Sequence, residues 1–189
     1  MNNTKRINEL SKVFQRMLDI MWLEYKHDPS LNKTPYRIAK MMVNETCVWL
    51  YSKAPRISVF NNTWNYDWMV LVKNMAVKSI CEHHFQPFVG VCHIAYIPGD
   101  KIIWISKLSR IVDYFSRRPQ VQERLTTDIF NFLKAKLLTD DIAIYIKAEH
   151  FCMKIRWVNE HKSETLTTKL WWVFMEDWKV RQEFYEIIK

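Results

Sequence analysis

Cysteine, histidine and glutamate, the residue types that bind metals and transfer protons, are concentrated in two short segments of the chain. Cys81-Glu82-His83-His84 places a thiol, a carboxylate and two imidazoles in consecutive positions, and Glu149-His150-Phe151-Cys152 repeats these types about seventy positions later. A Cys and a His three positions apart can bind one metal ion from a single turn, and zinc prefers these ligands.

The two segments lack the ligand pattern of a structural zinc site. Such sites are closed by four protein ligands, usually arranged as close pairs such as C-x-x-C, and the chain contains no C-x-x-C. A site with fewer protein ligands keeps a position for water, so the pattern favours a catalytic zinc site. The alternative is that a buried Cys and a surface His are neighbours by accident.

Length and composition favour a soluble, cytoplasmic protein with a substantial core. The chain has 189 residues, enough for one domain with or without a helical extension, and 49% of them are hydrophobic. No apolar run approaches transmembrane length, and the four cysteines are spaced irregularly, unlike a secreted disulfide framework. The net charge of +8 points to an anionic partner, either a polyphosphate substrate or a nucleic acid, or else to a solvated basic surface. No nucleic-acid-binding signature is present.

Hydrophobic periodicity predicts an α+β fold with an antiparallel sheet. Residues 1–65 are expected to form an N-terminal helical extension, and residues 66–189 a catalytic domain. The predicted order is helix, helix, two strands, two helices, two strands, helix. The predicted strands cover residues 69–80, 89–97, 141–148 and 165–171, and residues 55–68 are expected to be a connection.

Two helix starts carry groups suited to a nucleotide. Ser106, Lys107 and Arg110 lie where free backbone N–H groups and the helix dipole favour an anion, although Ser106 is equally explained as an ordinary N-cap. Gln122 and Glu123 lie in the first turn of the next helix. A carboxylate there often only complements the dipole, but it can also accept two N–H donors of guanine. His83 and His150 are candidates for proton transfer, because each lies within two residues of a potential metal ligand.

Several blocks of the sequence, taken in order along the chain, resemble the GTP cyclohydrolase I family. The blocks are Thr34-Pro35-Tyr36-Arg37-Ile38-Ala39-Lys40-Met41, Cys81-Glu82-His83-His84-Phe85, Ala95-Tyr96-Ile97-Pro98, Ser106-Lys107-Leu108, Arg118-Pro119-Gln120-Val121-Gln122-Glu123-Arg124-Leu125 and His150-Phe151-Cys152. The resemblance implies a T-fold, which is a four-stranded antiparallel sheet with two helices inserted between its hairpins. It also implies a homo-oligomer, most simply a decamer, whose active sites lie at subunit boundaries.

The resemblance assigns roles residue by residue. The zinc ligands are expected at Cys81, His84 and Cys152, with acid–base roles for His83 and His150 beside Glu82. Guanine recognition is expected from Gln122 and Glu123. The expected triphosphate contacts are Ser106, Lys107, Arg110 and Arg156, joined by Arg37 and Lys40 from a neighbouring subunit.

The implied reaction is zinc-dependent hydrolysis of GTP. Zinc lowers the pKa of water, hydroxide adds to C8 of guanine while His150 protonates the adjacent nitrogen, and formate leaves. The ribose then rearranges to give 7,8-dihydroneopterin triphosphate.

The chain departs from the family's usual pattern on its last hairpin. Trp157 stands where a Gly is usual, Asn159 occupies a basic position, Lys169 replaces a Ser, and Trp171 and Trp172 stand where small residues are common. This added bulk is expected to change packing or a pocket wall.

Three other functions compete with this interpretation. A non-catalytic T-fold protein that binds a purine nucleotide is disfavoured by the complete set of metal and phosphate residues. A nitrile-reducing T-fold enzyme, with NADPH and a nucleophilic Cys, would not need the zinc ligand set. A nucleic-acid-binding module is supported by the charge alone.

Overall fold

The computed structural model describes residues 1–189, and its internal contacts divide the chain into two compact units, Met1–Lys53 and Ala54–Lys189. The boundary expected after residue 65 stays a prediction. No helix is both long enough and apolar enough to cross a membrane.

The N-terminal unit is built from two helices, α1 (Asn3–Ile20) and α2 (Thr34–Met41), and the chain continues in helical turns over Met42–Thr46 and Val48–Tyr51. Helix α1 begins after Asn2, whose side-chain oxygen accepts the backbone N–H of Lys5 at 2.9 Å. Ile7 of α1 packs on Ala39 and Val43, so this unit has a small apolar core of its own.

The second unit is an antiparallel sheet with helices inserted in its middle connection. Strands β2 (Val70–Cys81), β3 (Pro87–Tyr96), β6 (Ile142–His150) and β7 (Thr165–Leu170) are neighbours in that order, and all three pairings are antiparallel. Helices α3 (Ile105–Ser116) and α4 (Gln122–Leu137) lie between β3 and β6 in the sequence. This is the arrangement of a T-fold, and it confirms the predicted α+β class.

The helices cover the sheet with the apolar residues that the sequence periodicity places on one face. Leu108, Ile111 and Val112 of α3 and Leu125, Ile129 and Leu133 of α4 are fully buried. Near the C-terminus, α6 (Val173–Glu176) and α7 (Trp178–Ile188) bury Phe174 and Phe184 against Ala95 and Ala143 of the sheet. Burial of this apolar surface is the main source of the sheet's stability.

Three short strands were not predicted. Strand β1 (Val59–Asn61) pairs antiparallel with β4 (Lys101–Ile103), so part of the expected connection over residues 55–68 is a strand. Strand β5 (Pro119–Gln120) runs parallel to the end of β2, with Gln120 opposite Cys81. This last pairing brings the start of α4 to the end of β2, which is where the candidate metal ligands lie.

Candidate metal centre and surrounding site

The turn between β2 and β3 presents Cys81 and His84 together. Cys81 is the last residue of β2, its N–H donates to the carbonyl of Gln86 at 2.7 Å, and its own carbonyl accepts the N–H of Phe85 at 2.8 Å. Phe85 has a φ of 53°, the left-handed conformation that closes such turns. Cys81 is buried at the base of the turn and His84 is exposed on it.

Strand pairing brings Cys152 to the same place. His150, the last residue of β6, lies opposite Phe88 near the start of β3, and the short helix α5 (Phe151–Lys154) follows directly. Cys152 is buried in that helix. As a result, one donor atom from each of Cys81, His84 and Cys152 lies within 4.8 Å of the other two.

The surroundings of the Cys152 thiol affect its pKa in a way that a bound cation would reverse. Burial raises the pKa of the Cys152 thiol, and the neighbouring Cys81 raises it further. The Cys152 thiol therefore resists ionisation, and a metal ion bound by both sulfurs would favour its thiolate form. His83 lies at the edge of this cluster, with its Nδ1 3.8 Å from the Cys81 sulfur.

His150, two residues before Cys152, is held by two side-chain contacts. Its ring stacks on Phe88, with centroids 4.6 Å apart and an interplanar angle of 8°. Its Nε2 is 2.9 Å from Oε1 of Gln122. Burial lowers the pKa of His150, and the negative charge of Glu123 opposes this shift. The side chains at the start of α4 are therefore close to the candidate proton-transfer group.

Gln122 and Glu123 have very different surroundings although they are adjacent. Gln122 is 1% exposed, and its amide is engaged by the protein, whereas Glu123 is exposed and has no ion-pair or hydrogen-bond partner. Glu123 lines a small cavity of about 180 Å³ with residues of α4 and β7. Guanine contact through the Gln122 side chain stays a prediction. Within the subunit, the hydrogen bonds of that amide leave it little access to a ligand.

Glu82 has a partner that sequence reasoning missed. Its carboxylate forms an ion pair with Arg124 of α4. A few residues away, Arg118 pairs with Asp128 at 2.8 Å. Arg124 lies in the same sequence block as Gln122 and Glu123, but only the β2–β5 pairing shows that this block reaches the metal-binding turn.

The candidate phosphate contacts are distributed over three elements. Helix α3 begins at Ile105 after Trp104, so Ser106 is in the first turn and is not the N-cap. Ser106, Lys107 and Arg110 of this helix make no hydrogen bond or ion pair with the metal-binding cluster. Arg156 is exposed just beyond α5, where its positive charge acts on Cys152.

The other two candidates, Arg37 and Lys40, lie on α2 in the N-terminal unit and are exposed. Arg37 donates a hydrogen bond to the carbonyl of Ser30 at 3.1 Å. The structure therefore brings together the metal-ligand candidates, His83, His150 and the start of α4, and it places Arg37 and Lys40 in a different unit.

Comparison with known proteins finds related sequences over most of the chain. The GTP cyclohydrolase I family model matches residues 10–189. GTP cyclohydrolase 1 of Aeromonas salmonicida is 43% identical over 185 residues, which cover 97% of this chain and 84% of that protein. GTP cyclohydrolase 1 of Aeromonas hydrophila is 48% identical over 163 residues, which cover 86% of this chain and 75% of that protein.

Among solved structures, the apo form of the archaeosine synthase QueF-Like matches with a TM-score of 0.44 at 18% identity, over 53% of this chain and 90% of that one. The family is established by sequence. The family model matches nearly the whole chain, and the two Aeromonas relatives are 43% and 48% identical to it over the matched residues. The chain belongs to the GTP cyclohydrolase I family.

Proposed function

We propose that the protein hydrolyses GTP at C8 of guanine, releases formate and forms 7,8-dihydroneopterin triphosphate, a step of pterin biosynthesis. The observation that carries this proposal is the convergence of Cys81, His84 and Cys152 within 4.8 Å beside His150, in a chain of this family. A metal ion next to a proton-transfer group is what hydrolytic opening of an imidazole ring requires.

The donor set fits zinc. Zn–S bonds of about 2.3 Å and Zn–N bonds of about 2.0 Å in a tetrahedral site place the donor atoms roughly 3.3–3.8 Å apart. The three donor atoms lie within 4.8 Å of one another, close enough for small side-chain rotations to bring them onto one ion. Zinc held by Cys81, His84 and Cys152 would acidify water at the fourth position and make hydroxide available near neutral pH.

The protein's own groups carry the proton transfers. His150 delivers a proton to the ring nitrogen next to C8 as oxygen adds to that carbon, so the C–N bond can break. His83, whose ring lies beside the Cys81 sulfur, exchanges protons in the later steps. Glu82 lies in the same turn as His83, and its carboxylate forms an ion pair with Arg124. From this position Glu82 assists the proton transfers. More than one imidazole is useful because the reaction includes several proton transfers.

Recognition of GTP is assigned to other groups of the chain and of a neighbouring subunit. The free carboxylate of Glu123 accepts the two N–H donors on one edge of guanine, a pair that adenine lacks. The triphosphate is bound by basic and hydroxyl groups, namely Ser106, Lys107, Arg110 and Arg156, with Arg37 and Lys40 supplied by a neighbouring subunit. The net charge of +8 favours this polyanion.

The active form is proposed to be a large homo-oligomer, most simply a decamer. Strand β7 lies at one edge of the sheet, and most of β2 lies along the other edge without a partner strand. Large aromatic side chains are exposed, including Trp22 at 90%, Trp157 at 86% and Trp64 at 75%. Unpaired edges and exposed aromatic surface of this kind are usually covered by other subunits. A cytoplasmic location stays a prediction from sequence.

The alternative, a non-catalytic nucleotide-binding T-fold protein, is not favoured, because the metal-binding cluster and the partly buried His150 have no use in simple binding. The test is to incubate zinc-loaded protein with GTP and to measure formate together with the fluorescence of the oxidised pterin. Formation of both products from GTP, and neither from ATP, is expected. Binding of GTP without formate release would support the alternative.

A further inference from the structure

The Gln122 amide is fixed in one orientation by the strands beneath it. Its Nε2 lies 3.1 Å from the carbonyl of Ile146, 3.0 Å from the carbonyl of Thr165 and 3.1 Å from Oγ1 of Thr167. Carbonyl oxygens only accept hydrogen bonds, so the amide nitrogen must face them, and Oε1 must point the other way.

This orientation determines which nitrogen of His150 carries a proton. Oε1 of Gln122 can only accept, and it is 2.9 Å from Nε2 of His150. Nε2 is therefore the protonated nitrogen whether the ring is neutral or charged, and Nδ1 is the nitrogen left to exchange a proton with a ligand. The stacking of Phe88 on the ring fixes its plane as well.

Helix α4 and strand β7 hold this arrangement from below. Thr126, one turn after Gln122, donates to the Gln122 carbonyl at 2.9 Å, and its hydroxyl is 2.7 Å from that of Thr167. The first turn of α4 is thus pinned to the same strand that receives the Gln122 amide. A buried amide with all of its groups engaged in this way restricts the structure to one arrangement.

We propose that Gln122 is a positioning residue that fixes the orientation and tautomer of His150 and leaves Nδ1 as the nitrogen that exchanges a proton with the substrate. This inference rests on the proposed function for its catalytic meaning, since His150 is the proposed proton donor to the guanine ring. It gives Gln122 a role through His150 in place of direct contact with guanine.

The kinetic test compares two Gln→Met substitutions in buried amides. Gln122→Met keeps the length of the side chain and removes the acceptor for His150. Gln120→Met is the matched control, because Gln120 is also buried, two residues away, and its amide contacts Asp128 at 3.3 Å and not His150. General acid–base groups contribute about 10²–10⁴-fold, so Gln122→Met should lower kcat at least about 10-fold, with the KM for GTP within about threefold of the wild-type value. Gln120→Met should leave kcat within about threefold.

Equal losses of kcat in the two variants would show a general packing effect and overturn the proposal. Since Gln122→Met leaves buried acceptors unpaired and its folding can suffer, a second measurement uses the wild-type protein. Nitrogen NMR of histidine-labelled, zinc-loaded protein at mildly alkaline pH, with the His150 signal assigned by its loss in His150→Ala, should show the Nε2–H tautomer. An Nδ1–H tautomer would refute the positioning role. Failure of the proposed function is seen separately, as wild-type protein that has this tautomer but releases no formate from GTP.

Discussion

Replacing Glu123 by Gln separates substrate recognition from chemistry. Glu123 is exposed in the first turn of α4, lines the small cavity against β7 and has no partner within the subunit, so its two carboxylate oxygens are available to a ligand. It belongs neither to the metal-binding cluster nor to the Gln122–His150 contact. Glu123→Gln should therefore leave the fold, the metal content and the position of His150 unchanged, and near His150 it removes only the negative charge that opposes the effect of burial on the pKa of that imidazole.

The expected loss follows from the bonds that a carboxylate can make and an amide cannot. A hydrogen bond to a charged group contributes about 1.5–3 kcal/mol, and the amide would also turn one of its own donors toward a guanine N–H. The total cost of about 2–4 kcal/mol corresponds to a fall of about one and a half to three decades in kcat/KM for GTP, at about 1.4 kcal/mol per decade. Losing the charge at the helix N-terminus costs only about 0.3–1 kcal/mol of stability, which is too little to unfold the protein.

The assay measures kcat/KM for GTP and for inosine triphosphate, which lacks the exocyclic amino donor. The wild-type protein should prefer GTP strongly, and Glu123→Gln should lose most of that preference. Glu183→Gln is the matched control, because Glu183 is also an exposed helical carboxylate and lies on α7. If folded, metal-loaded Glu123→Gln turned GTP over at the control's rate, guanine would not be read by this residue.

Four further predictions address the metal, the sheet, the pH dependence and the assembly. Cys152→Ser should lose most of its zinc by elemental analysis, because a thiolate ligand supplies both charge and geometry, and full occupancy would contradict the ligand assignment. In a urea titration, Gly90→Ala should lower the free energy of unfolding by about 1–3 kcal/mol or more, because a Cβ there would lie 1.9 Å from the Lys147 carbonyl oxygen. Gly99→Ala is the control and should leave the free energy of unfolding unchanged, because a Cβ there meets nothing within 4 Å. Burial lowers the pKa of His93 in the folded protein, so the unfolded state binds more protons at mildly acidic pH. The free energy of unfolding should therefore decrease as pH falls below about 6.5, and this decrease should be smaller in His93→Phe. Light scattering should report a large oligomer, and an active monomer would contradict shared active sites.

Local sequence patterns were sufficient for the main elements and for the metal-binding candidates. The alternation of Ile142, Ile144 and Ile146 predicted β6, and these residues are fully buried in it. Cys81 and His84 are three positions apart, so a single turn brings them together without help from the rest of the fold. The third donor, Cys152, depends on the pairing of β3 with β6, and here only the family resemblance selected it.

Contacts between distant segments could not be read from local patterns. Strands β1 and β5 have three and two residues, too few to show alternation, and each exists only because its partner strand is nearby. Gln122 illustrates the same limit at the level of one side chain. In a helix's first turn a Gln is normally exposed, and its burial here results from the position of β7, which follows about forty residues later in the sequence.

The departures on the last hairpin are explained in part by the packing of α4 on β7. Lys169 lies on the β7 face toward α4, with its Nζ 4.9 Å from the centre of the Phe130 ring. The Nζ of Lys134 on α4 lies 5.0 Å from the centre of the Trp171 ring, and the centre of that ring is 6.1 Å from the centre of the Phe130 ring. Each cation–aromatic contact of this kind contributes about 0.5–1 kcal/mol near a surface.

These contacts continue a single stripe along α4. Gln122, Thr126, Phe130 and Lys134 are four residues apart, so they share one face of the helix, and that face meets alternate residues of the last strand and the Trp that follows it. The same stripe begins with the amide that contacts His150. Lys169 and Trp171 lie at the other end of this stripe from Gln122. Their bulk therefore strengthens the packing of α4 on β7, which also fixes the position of Gln122. Trp157 and Trp172 are exposed outside this stripe, and nothing in the subunit explains them.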